Sequence, residues 1–196
     1  MKKLLFLMLI VSACKKDVYY YPSKIFFDKN NLQEIIIDDL NFEEIIDSVS
    51  NKILKKERLY ITLSDKNREI KISPFTYTGG FIKERNGLEI NNDSIYILDK
   101  RFPKSDMQKF LKLHFDNNSR IEYFSTSPKY AFIKIVLRSN EKGKKLKKLL
   151  LEIIKNFESS NIENKENIDL SIMLSLPLDL EFLKIPPPAT PIEIID

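Results

Sequence analysis

Residues 144–182 read KKLKKLLLEIIKNFESSNIENKENIDLSIMLSLPLDLEF, and the two ends of this stretch follow different periods. At its start, Leu146, Leu149, Leu150, Ile153, Ile154 and Phe157 recur at intervals of three and four. That spacing lines one face of a helix spanning about Lys144 to Phe157. At its end, Ile168, Leu170, Ile172, Leu174, Leu176, Leu178, Leu180 and Phe182 take every second position, with Asp169, Ser171, Ser175, Asp179 and Glu181 between them. Such alternation belongs to a strand with one covered face. Pro177 should interrupt that ladder or mark an edge or bulge. The polar stretch Glu158 to Asn167 lets the chain turn back, so helix and strand are expected to pack stripe against stripe.

Upstream the same two periods alternate. Asn41 and Glu44 have the spacing of a capping box, and Phe42, Ile45, Ile46, Val49, Ile53 and Leu54 continue as a helical stripe. Lys52, Lys55, Lys56 and Arg58 stand near its C-terminal end, where the helix dipole favours cations. Leu59–Leu63 and Ile70–Phe75 flank a turn at residues 64–67. Asn86-Gly87 and Asn91-Asn92-Asp93 punctuate the strands Leu88–Ile90 and Ile95–Leu98. Residues 59–100 therefore read as an antiparallel meander. A further helix is expected from a cap at Ser105, with Gln108 three residues on. It buries Met107, Phe110, Leu111 and Phe115, and Asn117-Asn118 ends it. Ile121–Phe124 and Tyr130–Arg138 read as strands, and Ile25–Phe27 and Ile35–Ile37 are compatible with short ones. The class is α+β, a largely antiparallel sheet covered on one face by about three amphipathic helices. One domain is expected over residues 24–185, followed by a Pro-rich tail at 186–196.

The chain has 196 residues, 43% hydrophobic and 31% charged, which suits one compact core. Thirteen Phe and eight Tyr are too many for a disordered polar chain. A single Cys excludes an intramolecular disulfide and a cysteine-rich zinc site. Gly79-Gly80 lacks a downstream Lys-Ser/Thr, so it is not a phosphate loop, and no metalloprotease, nucleophile-elbow or dinucleotide fingerprint is present. The lone histidine, His114, falls three and four residues after Leu111 and Phe110 and reads as a structural side chain on or beside the apolar stripe. Asp38-Asp39 and Glu43-Glu44 could supply a general acid or base, but acids at a strand end or helix start more often cap or solvate. The sequence accordingly assigns no catalytic, cofactor-binding or metal-ligating residue and points away from an enzyme. Lys142, Lys144, Lys145, Lys147 and Lys148 crowd the start of a helix. They form either a patch for acidic lipid, glycan or partner, or a solvated face.

The N-terminus carries an address. Lys2 and Lys3 precede the unbroken apolar run Leu4–Val11, and Ser12-Ala13 place small residues before Cys14. This order is that of a secretory signal. Leu4–Ala13 would reach about 15 Å as a helix, half of the roughly 30 Å of a bilayer core.

Val11-Ser12-Ala13-Cys14 resembles the lipobox of bacterial lipoproteins. The resemblance implies that residues 1–13 are removed and that Cys14 becomes a diacylglycerol-bearing N-terminus with acyl chains of the palmitate class. Residues 14–23 then form the lipidated cysteine and its tether, in which Tyr19-Tyr20-Tyr21 could either rest against the membrane interface, where Tyr is favoured, or start an edge strand. It also implies a place in the cell envelope, with the outer membrane the expected site. Loss of Lys2 and Lys3 lowers the net charge from +4 to +2, too small for a nucleic-acid partner. The order of elements after residue 95 resembles, in spacing alone, the periplasmic domain of ExbD-type transport proteins. This likeness implies a component of an envelope transport system as one alternative, and scattered carboxylates leave a hydrolase as another. The leading expectation is a lipid-anchored envelope protein that acts as an interaction or structural module, with the membrane and an envelope protein as its partners.

Overall fold

The computed structural model describes residues 16–97 and 100–177. Cys14, the signal segment 1–13, the strand continuation Leu178–Phe182 and the tail 186–196 lie outside the described residues.

The chain enters as a strand. β1 (Asp17–Tyr21) pairs in parallel with β4 (Arg68–Ile72), so these residues form an edge strand, one of the two readings open for them, and extend the domain upstream of the expected residue 24. α1 (Lys24–Lys29) stands where a strand at Ile25–Phe27 was compatible with the sequence. Ser23 starts it, its Oγ accepting from the Phe26 N–H at 3.3 Å. β2 (Leu32–Glu34) is shifted upstream of the expected Ile35–Ile37 run, which is irregular. α2 (Phe42–Leu54) has the capping box that the sequence spells. Asn41 Oδ1 accepts from the Glu44 N–H at 2.9 Å, and Glu44 Oε2 accepts from the Asn41 N–H at 2.7 Å. β3 (Arg58–Asp65) and β4 form the hairpin expected around residues 64–67.

The meander then breaks at Ser73-Pro74. β5 (Phe75–Thr76), β6 (Gly87–Ile90), β7 (Ser94–Ile97) and β8 (Lys100–Pro103) belong to another sheet. Gly87 opens β6 after a 3-10 turn and is not the tip of a hairpin, whereas Asn91–Asp93 does join β6 to antiparallel β7. α3 (Met107–Phe115) follows a 3-10 turn over Lys104–Asp106. Its cap position is Asp106, and Ser105 is not the cap. The expected strand Ile121–Phe124 is a turn wound around Asn117. The buried amide of Asn117 donates to the carbonyls of Ile121 and Ser125, both at 2.8 Å, and accepts from the Ile121 N–H at 2.7 Å. β9 (Phe132–Val136), α4 (Gly143–Ser159) and β10 (Ser171–Ser175) complete the order.

The class is α+β, with the strands in two mixed sheets. The small sheet runs β1-β4-β3-β2 and the large sheet β5-β10-β9-β6-β7-β8. Among the described residues five of the eight strand pairings are parallel, which corrects the expected single, largely antiparallel sheet. The reason is geometric: α3 and α4 each carry the chain back along the sheet, so β6, β9 and β10 start from the same end. One apolar cluster joins both sheets through Ile61 and Ile72, Phe42 and Ile45 of α2, Leu150 and Ile153 of α4, and Ile133 and Leu174 of the large sheet. α2 touches both β3 and β5, and α4 touches β3, α2 and α3. The α4 and β10 stripes are both buried, as expected for core partners.

Candidate interaction surface

Strand alternation sorts the large sheet into two faces. Leu88, Ile90, Ile133, Ile135, Ile172 and Leu174 are buried in the core. The residues between them form a strip on the outer face, and strand register sets Phe75, Met173, Lys134, Glu89, Tyr96 and Arg101 side by side. At the middle of the strip Lys134 Nζ donates to Glu89 Oε2 at 2.8 Å, so neighbouring parallel strands neutralise each other's charge. Towards β5 the strip turns apolar and aromatic. Phe75 meets the Phe132 ring edge-on at 5.7 Å. Gly87 makes room for that ring, since a Cβ there would lie 2.7 Å from it.

Beyond Phe132 the loops add further aromatic surface. Phe81 is 86% exposed and Tyr130 57% exposed, and with Phe75, Ile82 and Phe132 they line a hollow of about 570 Å³. Exposed apolar groups concentrated at one place mark an interaction site more than singly scattered ones do. The opposite end, at the C-terminal ends of β6, β9 and β10, is a polar groove of about 490 Å³ lined by Asn91, Asp93, Arg138, Glu141 and Lys145. One end suits an aromatic or aliphatic side chain, the other hydrogen-bonding groups.

The acids picked out as acid–base candidates do not converge. Asp38 Oδ2 accepts from Lys147 at 2.9 Å, and Glu44 is committed to the α2 capping box, accepting from the Asn41 N–H. Asp39 contributes its backbone carbonyl to Lys142. Gly79 and Gly80 sit in a loop at φ 113° and 98°, conformations that glycine adopts readily. His114 is buried, with its Nε2 at 3.1 Å from the Asn86 carbonyl oxygen. Burial drives its pKa down to about 4, against the opposing pull of the Phe132 and Asn86 backbone, so the ring is neutral and its Nε2–H donates. Of the basic cluster, Lys145 pairs with Glu141 at 2.7 Å and Lys147 with Asp38, while Lys144 and Lys148 are exposed.

A charged network that the sequence did not reveal ties α4 to the small sheet. Glu158 accepts from the Tyr21 hydroxyl at 3.0 Å and from Arg68 at 2.9 Å, and Asp65 bonds both Arg68 and Lys155 at 3.0 Å. Burial first, then the Glu158 carboxylate, raises the Tyr21 phenol well above its usual range. Arg68, and then Lys155, holds the Asp65 carboxyl below the usual carboxylate range. Each acid here is committed to a cation, which suits a structural tie. Among the described residues no three His, Cys, Asp or Glu side chains are grouped closely enough to hold a metal ion, and no helix is long and apolar enough to cross a membrane.

The outer strip escaped sequence reading because its members come from β5 to β10, whose pairing order is not encoded by any one strand. The alternation in β10 was the available signal: Met173 interrupts the polar side of the stripe. The chain matches no protein-family model, no curated protein and no solved structure.

Proposed function

We propose that this is a lipid-anchored bacterial envelope protein, held through Cys14, whose folded body binds an envelope partner through the outer face of the large sheet. The sequence Val11-Ser12-Ala13-Cys14 supports the anchor. Each buried CH₂ contributes about 0.8 kcal/mol, and two or three acyl chains exceed the marginal holding of one. The observation that carries the interaction reading is the aromatic end of the outer strip, where Phe81 and Tyr130 remain exposed beside Phe75 and Phe132. Aromatic side chains supply contact area at low entropic cost and are enriched where proteins meet.

The test is photocrosslinking in intact envelopes, with a photoreactive side chain in place of Phe81, Tyr130 or, as control, the exposed Leu54 at the end of α2. Discrete adducts to an envelope protein are expected from positions 81 and 130 and not from 54. Equal, diffuse labelling at all three, or no adduct from either aromatic position, would contradict the assignment.

A further inference from the structure

The outer face of the small sheet is aromatic, and it stands at the point where the anchor joins the fold. Register places Tyr19 and Tyr21 opposite the buried Ile70 and Ile72, which leaves Val18 and Tyr20 on the outer side with Glu69 and Lys71. α1 adds to this face, because Phe27 sits edge-on to Tyr20 at 5.0 Å and to Tyr60 at 5.7 Å. Val18 on the same strand is 40% exposed, and Ile25, on the side of α1 turned away from the sheet, is 65% exposed. Two of the lysines nearby are paired, Lys24 with Asp28 at 2.6 Å and Lys71 with Glu69 at 3.4 Å. Lys24 and Lys71 also lie over the Tyr20 and Tyr60 rings. Tyrosine, phenylalanine and snorkelling lysine around an exposed isoleucine make a surface suited to the interfacial zone of a bilayer.

The length of chain between lipid and fold selects the occupant. β1 is already hydrogen-bonded at Asp17, so only Lys15 and Lys16 separate it from Cys14. Three residue steps reach at most about 11 Å. Tyr20 lies a further three residues, about 10 Å, along the same strand. A longer tether would require peeling β1 from β4. We infer that the outer face of the small sheet, centred on Tyr20, Ile25, Phe27 and Tyr60, rests in the headgroup zone of the membrane that holds Cys14. This orientation rests on the lipid-anchor reading and adds to it a fixed pose.

The chain has no tryptophan, so a single introduced indole reports cleanly. The acylated full chain carrying Ile25→Trp, or Tyr130→Trp on the large-sheet side, is reconstituted into phosphatidylethanolamine/phosphatidylglycerol vesicles with brominated acyl chains. Both positions are exposed, and circular dichroism checks that each variant is folded. At least twofold quenching and a blue shift are expected at position 25, with less than a tenth of the signal lost at position 130. A chain that carries acyl mass and floats with the vesicles, yet shows no quenching at 25 or equal quenching at both sites, overturns the orientation alone. A chain without acyl mass overturns the anchor reading and the orientation with it.

Discussion

At the scale of single residues, two positions show how differently the sequence discloses its physics. His114 was legible as structural because it falls beside Phe110 and Leu111 on a helical stripe, and the structure buries it completely enough to hold it neutral. With a folded pKa of about 4, below the ordinary 6.5, the unfolded chain binds more protons between those values. Stability is therefore full above about pH 6.5 and falls as pH drops towards 4. Denaturant melts at pH 7.5 and pH 5 should differ by about 2 kcal/mol through this group, and His114→Gln should remove that difference. A wild-type slope unchanged in the variant would show that His114 is not its source. Gly143 was not legible, because nothing local demands glycine at the start of α4. Its constraint is tertiary: a Cβ there would lie 1.8 Å from the Ile37 carbonyl oxygen, and its N–H donates to the Leu40 carbonyl at 2.9 Å. Gly143→Ala should cost about 1–3 kcal/mol, as overpacking does, even though alanine is the better helix former. A neutral or stabilising result in a thermal melt would show that α4 can shift away from the Ile37 loop.

At the scale of elements, periodicity was a sound guide to type and a poor guide to pairing. The helix expected over Lys144–Phe157 is Gly143–Ser159, and the capping box at Asn41 starts α2 where it was read. The short runs failed for physical reasons. Ile25–Phe27 follows Ser23, whose side chain nucleates a helical turn, and Ile121–Phe124 is organised by Asn117 instead of by a strand partner. Parallel pairing was hidden because a strand's alternation is the same whichever neighbour it meets. The α4 and β10 stripes nevertheless meet the core, with Leu150 and Leu174 at most 1% exposed. Leu150→Ala and Leu174→Ala should each lose about 2–5 kcal/mol, while Lys148→Ala and Ser171→Ala should lose less than about 0.5 kcal/mol. Urea melts of the four variants separate the two groups. Equal small losses would mean that the two stripes contribute nothing special to the core.

At the scale of the whole molecule, a proposed anchor read from sequence meets two surfaces read from structure. The small sheet carries the entry strand β1 and is bound to α4 through Tyr21, Arg68, Asp65, Lys155 and Glu158. The large sheet carries the strip ending in Phe75 and Phe132 and its exposed neighbours Phe81 and Tyr130. The proposed anchor rests on a linear signal, charge then apolar run then small residues then cysteine. The large-sheet strip was illegible because it is assembled from strands distant in sequence. On the small-sheet face the Tyr19-Tyr20-Tyr21 run was legible as a membrane-interface candidate, and only its packing with Phe27 and Tyr60 was not. Everything turns on Cys14. Cys14→Ala should leave the body folded by circular dichroism but release it from the membrane fraction. The most direct measurement is the intact mass of the protein extracted from its native membrane. The expected species is a chain that starts at Cys14 and carries the added mass of its acyl groups. A chain that retains residues 1–13, or one whose Cys14 thiol is unmodified, would contradict the anchor.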